Sequence, residues 1–213
     1  TYGNGQILTA WEDTQGGIRV SVMDSDSGAI IQNNTSISTT GVLPRCIELA
    51  GRVGVMYIET SGTDAVKLCQ ISASDPTTFD AATELADDSA TSGHQLAVTK
   101  NGTGAIVAYA DSASKIGVMY INPNGALGSL LNGYASPIKI NALAEDSLEI
   151  LKDTANDGHF YVAYSKNASG TGLKITRISP ALAEIQTLTA EATSTVIKHC
   201  TMSLNSSDNI EVI

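Results

Sequence analysis

Ser147-Leu-Glu-Ile-Leu-Lys-Asp-Thr-Ala-Asn-Asp-Gly-His-Phe-Tyr-Val-Ala-Tyr164, with Leu173-Lys-Ile-Thr-Arg-Ile178 and Glu184-Ile-Gln-Thr-Leu188 after it, reads as one four-stranded antiparallel unit. A first strand runs into a polar Asn-Asp-Gly turn and an apolar strand returns through Val-Ala-Tyr. Two further strands follow across short polar loops. Asp-Gly accepts the positive φ that a tight hairpin demands, so the first two strands form a hairpin. Taken alone, 143–152 and 181–198 hold enough Ala, Leu and Glu to suit a helix. What decides against helix is that the unit recurs.

The Val-Ala-Tyr strand has counterparts at Ile7–Trp11, Val53–Tyr57 and Ala105–Tyr109, which puts the aromatics 46, 52 and 55 residues apart. Turn residues precede each strand, at Asn4-Gly5, Gly51, Asn101-Gly102 and Asp157-Gly158, and again at Asp208-Asn209. Alternating strands follow at Ile18–Val22, Val66–Cys69, Ile116–Met119 and Leu173–Thr176. Each leads through a second turn to a fourth, less apolar strand. Period-2 alternation marks strands with one wetter face, and a period near fifty residues marks an array of propeller blades.

The sequence therefore predicts an all-β chain, a β-propeller of four-stranded antiparallel blades within a single domain spanning 1–213. Approximate blades fall at 1–43, 44–92, 93–145 and 146–197, with part of a fifth at 198–213. That count reads as a segment of a larger ring, or as a partial ring completed by a second copy. The chain opens on Thr1-Tyr2-Gly3 with no initiator Met and reads as a processed product or a fragment.

Twelve basic residues against 22 acidic give a net charge of −10, which excludes nucleic acid as a partner, since that needs clustered Lys and Arg. No apolar run approaches the roughly 20 residues of a membrane span, so no membrane insertion is expected. Cys46, Cys69 and Cys200 are too scattered for a disulfide framework or a zinc site and read as small buried apolar residues. Cys46 and Cys200 are expected too far apart around the ring to form a disulfide. Four Asn-x-Ser/Thr sequons, at Asn33, Asn101, Asn167 and Asn205, matter only in a eukaryotic secretory host. No cofactor and no metal is called for.

In a propeller the loop entering each innermost strand opens on the mouth of the central channel. Arg45, His94, Asp146 and His199 hold that position, each just before an inner strand, and convergent polar groups at a channel mouth form a ligand site. The alternative is that the four are solvated rim residues. Asp146 with its neighbour Glu145 is the carboxylate pair open to hydrolytic work. The aromatics of the second strands read as blade core rather than as sugar platforms.

Asp24-Ser-Asp-Ser-Gly28 has the D-x-D-x-G opening of a calcium loop but lacks the later ligands and the closing Glu, and a polar β-turn accounts for it better. Its place between third and fourth strands resembles the Asp-box of sialidase-type propellers, S-x-D-x-G-x-T-W. Asp26 and Gly28 match; Asp24 stands for the Ser, and Ile30 and Ile31 for the Thr and Trp. That resemblance implies glycan binding or glycoside cleavage, in the family with an arginine triad and a Tyr-Glu nucleophile. Of Arg19, Arg45, Arg52 and Arg177, only Arg45 lies at an inner-strand entrance, and catalytic residues do not carry over. Degenerate repeats without a catalytic constellation lead to the expectation of a non-catalytic structural or adhesive module. Its setting would be an extracellular or virion assembly such as a phage tail or fibre, with other copies or neighbouring proteins, or glycans, as partners. The second expectation is a glycan-binding or glycoside-hydrolysing propeller that uses the channel mouth.

Overall fold

The computed structural model describes residues 2–3, 5–62, 64–87, 95–111, 115–125, 138–140, 147–153, 159–165, 172–181, 183–191, 200–205 and 210–212. The fold is all-β, and no helix occurs among these residues. The first sheet orders β1 (Tyr2–Gly3), β2 (Gln6–Glu12), β3 (Ile18–Asp24) and β4 (Ile30–Ser38). The second has β5 (Gly41–Leu49), β6 (Arg52–Glu59), β7 (Ala65–Gln70) and β8 (Thr83–Ala86). The third has β9 (Leu96–Asn101), β10 (Gly104–Ala110), β11 (Ile116–Ile121) and β12 (Ile138–Ile140). The fourth has β13 (Ser147–Lys152), β14 (Phe160–Ser165), β15 (Leu173–Ile178) and β16 (Glu184–Glu191). A hairpin of β17 (Met202–Leu204) and β18 (Ile210–Val212) ends the series. Every pairing is antiparallel between chain neighbours, as in the blades of a partial propeller. The helix-like segments at β13 and β16 are strands because each supplies the outer or inner edge of a sheet that its intrinsic preference would not choose.

Successive blades stack face to face, and the recurring aromatic makes each junction. Tyr57 packs with Leu8, Ile18, Val20 and Val22 of the first blade. Tyr109 packs with Met56, Ile58 and Leu68 of the second, and Tyr164 with Ile106, Ala108 and Val118 of the third. All three rings are buried. Removing about 150–250 Å² per aromatic from water, at about 25 cal/mol per Å², is worth about 4–6 kcal/mol before ordering entropy. Trp11 holds the same place in the first blade but is 38% exposed, contrary to the core role expected of it. Among the described residues no sheet lies over that face, and Met23, toward the other end of the same hairpin opposite Ile7, is open as well.

The inner hairpins turn as the sequence implies where they are described. Ala50 and Gly51, at φ 50° and 87°, form a two-residue turn between paired Leu49 and Arg52, the double positive φ of a type I′ hairpin. Asp157-Gly158 and Asp208-Asn209 lie outside the described residues. Polar clasps fix the crossings between blades. Glu59 accepts hydrogen bonds from Ser38 Oγ (2.9 Å) and Thr40 Oγ1 on the crossover from the first blade to the second. Burial pushes the Glu59 carboxyl up, yet these hydroxyls and Lys67 prevail and hold it below the usual range. Cys69 is buried as expected. Cys46 and Cys200 are only partly buried, because each sits at a blade junction near the inner edge, and all three thiols are free.

Candidate functional site

The innermost strands β5, β9, β13 and β17 stand side by side around the axis, and their pairing fixes which residues are equivalent. Arg45 pairs with Met56, Ala97 with Ala108 and Glu149 with Ala163, and each partner immediately precedes its blade's aromatic. Arg45, Ala97 and Glu149 therefore occupy one position in three consecutive blades.

This differs from the expectation that set Arg45 level with His94 and Asp146, ahead of the strand. β5 begins at Gly41, and a register shift between Val42 and Arg45 carries Arg45 inside it. Leu43, at φ 54°, and Pro44 lie in this bulge, where a residue without an N–H costs no ladder bond. Arg45 is exposed, its Nη1 bonded to its neighbour's carbonyl (Pro44, 3.2 Å). His94, Asp146 and His199 lie outside the described residues. The residues that follow two of them meet: Ser147 Oγ accepts from the Cys200 amide at 2.9 Å and donates to its sulfur at 2.9 Å.

Glu149 is the residue that sequence reading missed. On β13 it alternates with Leu148 and Ile150, which point into the core shared with the third blade, so its own side chain faces the last hairpin with Ser147. Burial there pushes the Glu149 carboxyl up; the Ile150 amide (3.2 Å) and the charge of Arg45 oppose this without cancelling it. The Cys200 thiol is pushed up by burial, opposed by Ser147 and assisted by the Glu149 charge. Arg45, Glu149, Ser147 and Cys200 thus share one electrostatic neighbourhood at the inner strands, and Ala97 leaves the equivalent place between Arg45 and Glu149 without a long side chain. A half-buried carboxyl that keeps its proton to higher pH is what general acid catalysis needs, and an arginine beside it suits a developing negative charge. Tracing equivalence through the hairpin partners, instead of through each strand's first residue, would have pointed to Glu149.

The Asp24 turn closes on itself. Asp24 Oδ1 accepts from the amides of Asp26 (3.2 Å) and Ser27 (2.7 Å) and from Ser27 Oγ (2.7 Å), which is the polar-turn reading of this segment.

No protein-family model matches the sequence, and no curated protein sequence is similar to it. Solved structures do share its fold. AofleA from Arthrobotrys oligospora superimposes with a TM-score of 0.64 at 10% identity, over 98% of this chain and 61% of that one. An exo-β-1,3-galactanase from Phanerochaete chrysosporium with β-1,3-galactotriose gives 0.54 at 13% identity, over 89% and 48%. The chain thus spans about three fifths of the one and half of the other. A Synechocystis apocarotenoid oxygenase gives 0.50 at 9% identity over 100% and 58%, so the architecture alone does not select a chemistry. The expectation of a non-catalytic structural or adhesive virion module is overturned. It rested on degenerate repeats and scattered polar residues, and the galactanase carries a glycoside hydrolase on the same blades at equally low similarity. Neither a phage or tail role, nor a virion surface, nor a specific tie to sialidases gains support from these neighbours.

Proposed function

We propose that this chain belongs to a carbohydrate-active propeller that cleaves a glycosidic bond at the central channel, with Glu149 as proton donor. The observation that carries the reading is the half-buried Glu149 carboxyl, pushed up by burial and set at the position equivalent to Arg45. A glycosidic oxygen is a poor leaving group until protonated, and the acid must still hold its proton at the working pH. In this proposal Asp146, three residues before Glu149 in the sequence, is the second carboxylate, and His94 and His199 are further candidate ligand contacts. Arg45 holds a substrate hydroxyl or the base's charge. On this reading 1–213 acts as one propeller segment, divided near residues 43, 92, 145 and 197. It works outside the cell, where polysaccharide is found.

The test is a panel of aryl glycosides and β-linked galactan. Glu149→Gln is expected to lower turnover of galactan by about 10²–10⁴-fold. Aryl substrates, whose leaving groups need less protonation, should lose much less, and Asp146→Ala should abolish both. Glu149→Gln turnover within threefold of wild type on every substrate would remove Glu149 from the reaction. Retention of glycans with no turnover of any substrate would make the chain a lectin.

A further inference from the structure

A second cleft lies far from the inner strands, between the outer strand of the first blade and the 71–82 segment that joins β7 to β8. Its volume is 430 Å³, within the roughly 300–1,000 Å³ of small-molecule sites. Gln32 and Thr35 enter from β4; Phe79, Asp80 and Ala82 come from the facing segment. Gln32 is 8% exposed, and its Nε2 has no hydrogen-bond partner in the protein. A buried amide donor without an acceptor is unfavourable, and here it lines an open cavity.

The remaining walls narrow the chemistry. Asp80 is neutralised by Arg52, which also binds the Ile71 carbonyl. The Cys69 thiol, pushed up to about 11 by burial with the Asp80 charge adding to it, is neutral. Thr77 and Thr78 hydroxyls are already bound to Asp75, at 2.7 and 3.2 Å. What faces a ligand is the Thr35 hydroxyl over an apolar floor made by Ile37, Phe79 and the adjoining alanines, with the unpaired Gln32 amide nitrogen enclosed just beneath. The cleft therefore offers a ligand no unbalanced charge, an apolar surface for a ring face and a donor at its buried end.

We infer that this cleft is a binding site for a neutral saccharide, a pyranose whose C–H face rests on Phe79 and whose ring or hydroxyl oxygen accepts from Gln32 Nε2 once that unpaired amide turns toward the cleft. It is independent of the channel chemistry, since none of its lining residues is on an inner strand. Charged and strongly basic ligands are disfavoured because nothing in the wall is left to pair with them.

The test is calorimetric titration and saturation-transfer NMR of the intact chain with galactose, glucose, arabinose, xylose and their β-linked disaccharides. Gln32→Leu keeps the volume and removes the donor; Ala82→Trp blocks the rim and leaves Gln32 in place. At least one sugar is expected to bind wild type, tenfold or more weaker to Gln32→Leu and undetectably to Ala82→Trp. Gln32→Leu is also expected to melt at or above the wild-type temperature, because it removes an unpaired buried amide. Three results would overturn the inference: no sugar binds; binding survives Gln32→Leu and is lost in Glu149→Gln, which places the sugar in the channel; or Gln32→Leu melts lower, which gives the amide a partner inside the protein.

Discussion

Gly117→Ala should be among the most damaging one-methyl changes in the chain. Gly117 pairs with Tyr109 across β10 and β11, and the tyrosine ring lies flat over the glycine. A Cβ there would sit 2.3 Å from Tyr109 Cζ, 2.4 Å from Cε1 and 2.6 Å from the hydroxyl. Ordinary carbon contacts are about 3.5–4.0 Å, so the ring would have to lift by more than about 1 Å. It has nowhere to go: Tyr109 is fully buried among Met56, Ile58 and Met119, and Lys139 Nζ stands 5.7 Å from the ring centre. Overpacking of a closed core costs about 1–3 kcal/mol, and the rigid ring puts this case at the upper end. For a chain of this size that lowers Tm by about 4–12 °C. Thermal and urea unfolding followed by circular dichroism would measure it, with the urea midpoint shifted at unchanged slope. The control is Lys174→Ala, whose position opposes Tyr164 and already carries a side chain, and it should stay within about 0.5 kcal/mol. A Gly117→Ala protein that melts within about 1–2 °C of wild type, as a cost of about 0.5 kcal/mol or less would give, would refute the packing argument.

Asp153, 3% exposed, binds Arg177 Nη2 at 3.0 Å and the Tyr161 hydroxyl at 3.1 Å, so Asp153→Ala should cost about 3 kcal/mol, the low end for a broken buried pair, because Arg177 keeps some water. The same melting assay checks it, and an unchanged midpoint would show the pair to be inert. Glu149 has its carboxyl raised above the ordinary glutamate value of about 4.3, so its ionised form is penalised in the folded state alone. That penalty is full above the raised value and relieved as pH falls through it. The Tm of Glu149→Gln minus that of wild type should accordingly grow as pH rises, and a difference that stays flat with pH would contradict the burial of the carboxyl. Cys69, with its thiol near 11, should resist iodoacetamide at neutral pH in the native chain and react only once unfolded, as mass spectrometry of labelled peptides would report. Equal labelling in the two states would show that the junction opens.

The blades were legible because strand alternation and turn residues are local signals, and repetition at Trp11, Tyr57, Tyr109 and Tyr164 overrode the helical leaning of β13 and β16. The site was less so. In the hairpin register Arg45 is level with Ala97 and Glu149, each three residues beyond His94 and Asp146 in sequence, because β5 starts at Gly41 and a bulge consumes register, and Pro44 inside a strand is a mark of such a bulge. Glu149 reads in sequence as a charge on the wet side of an alternating strand. Its burial comes from the segment around Cys200, whose amide reaches back across 53 residues to Ser147 on the same strand, which no local pattern announces. Gln32 is equally ordinary in sequence, and only the 71–82 segment folded against it leaves its amide enclosed.

Trp11 is the single tryptophan of the chain, and its exposure gives the protein an optical asymmetry. Its emission samples the open face of the first sheet while the other blades, joined through tyrosines, are silent at that wavelength. Unfolding moves a partly wet indole fully into water and should change the spectrum less than it would for a buried one, so fluorescence would understate the change that backbone dichroism records. A partner sheet or a sugar ring laid on β2 would dry the indole and shift its emission to the blue. The first blade thus carries a built-in dye for whatever comes to rest on it.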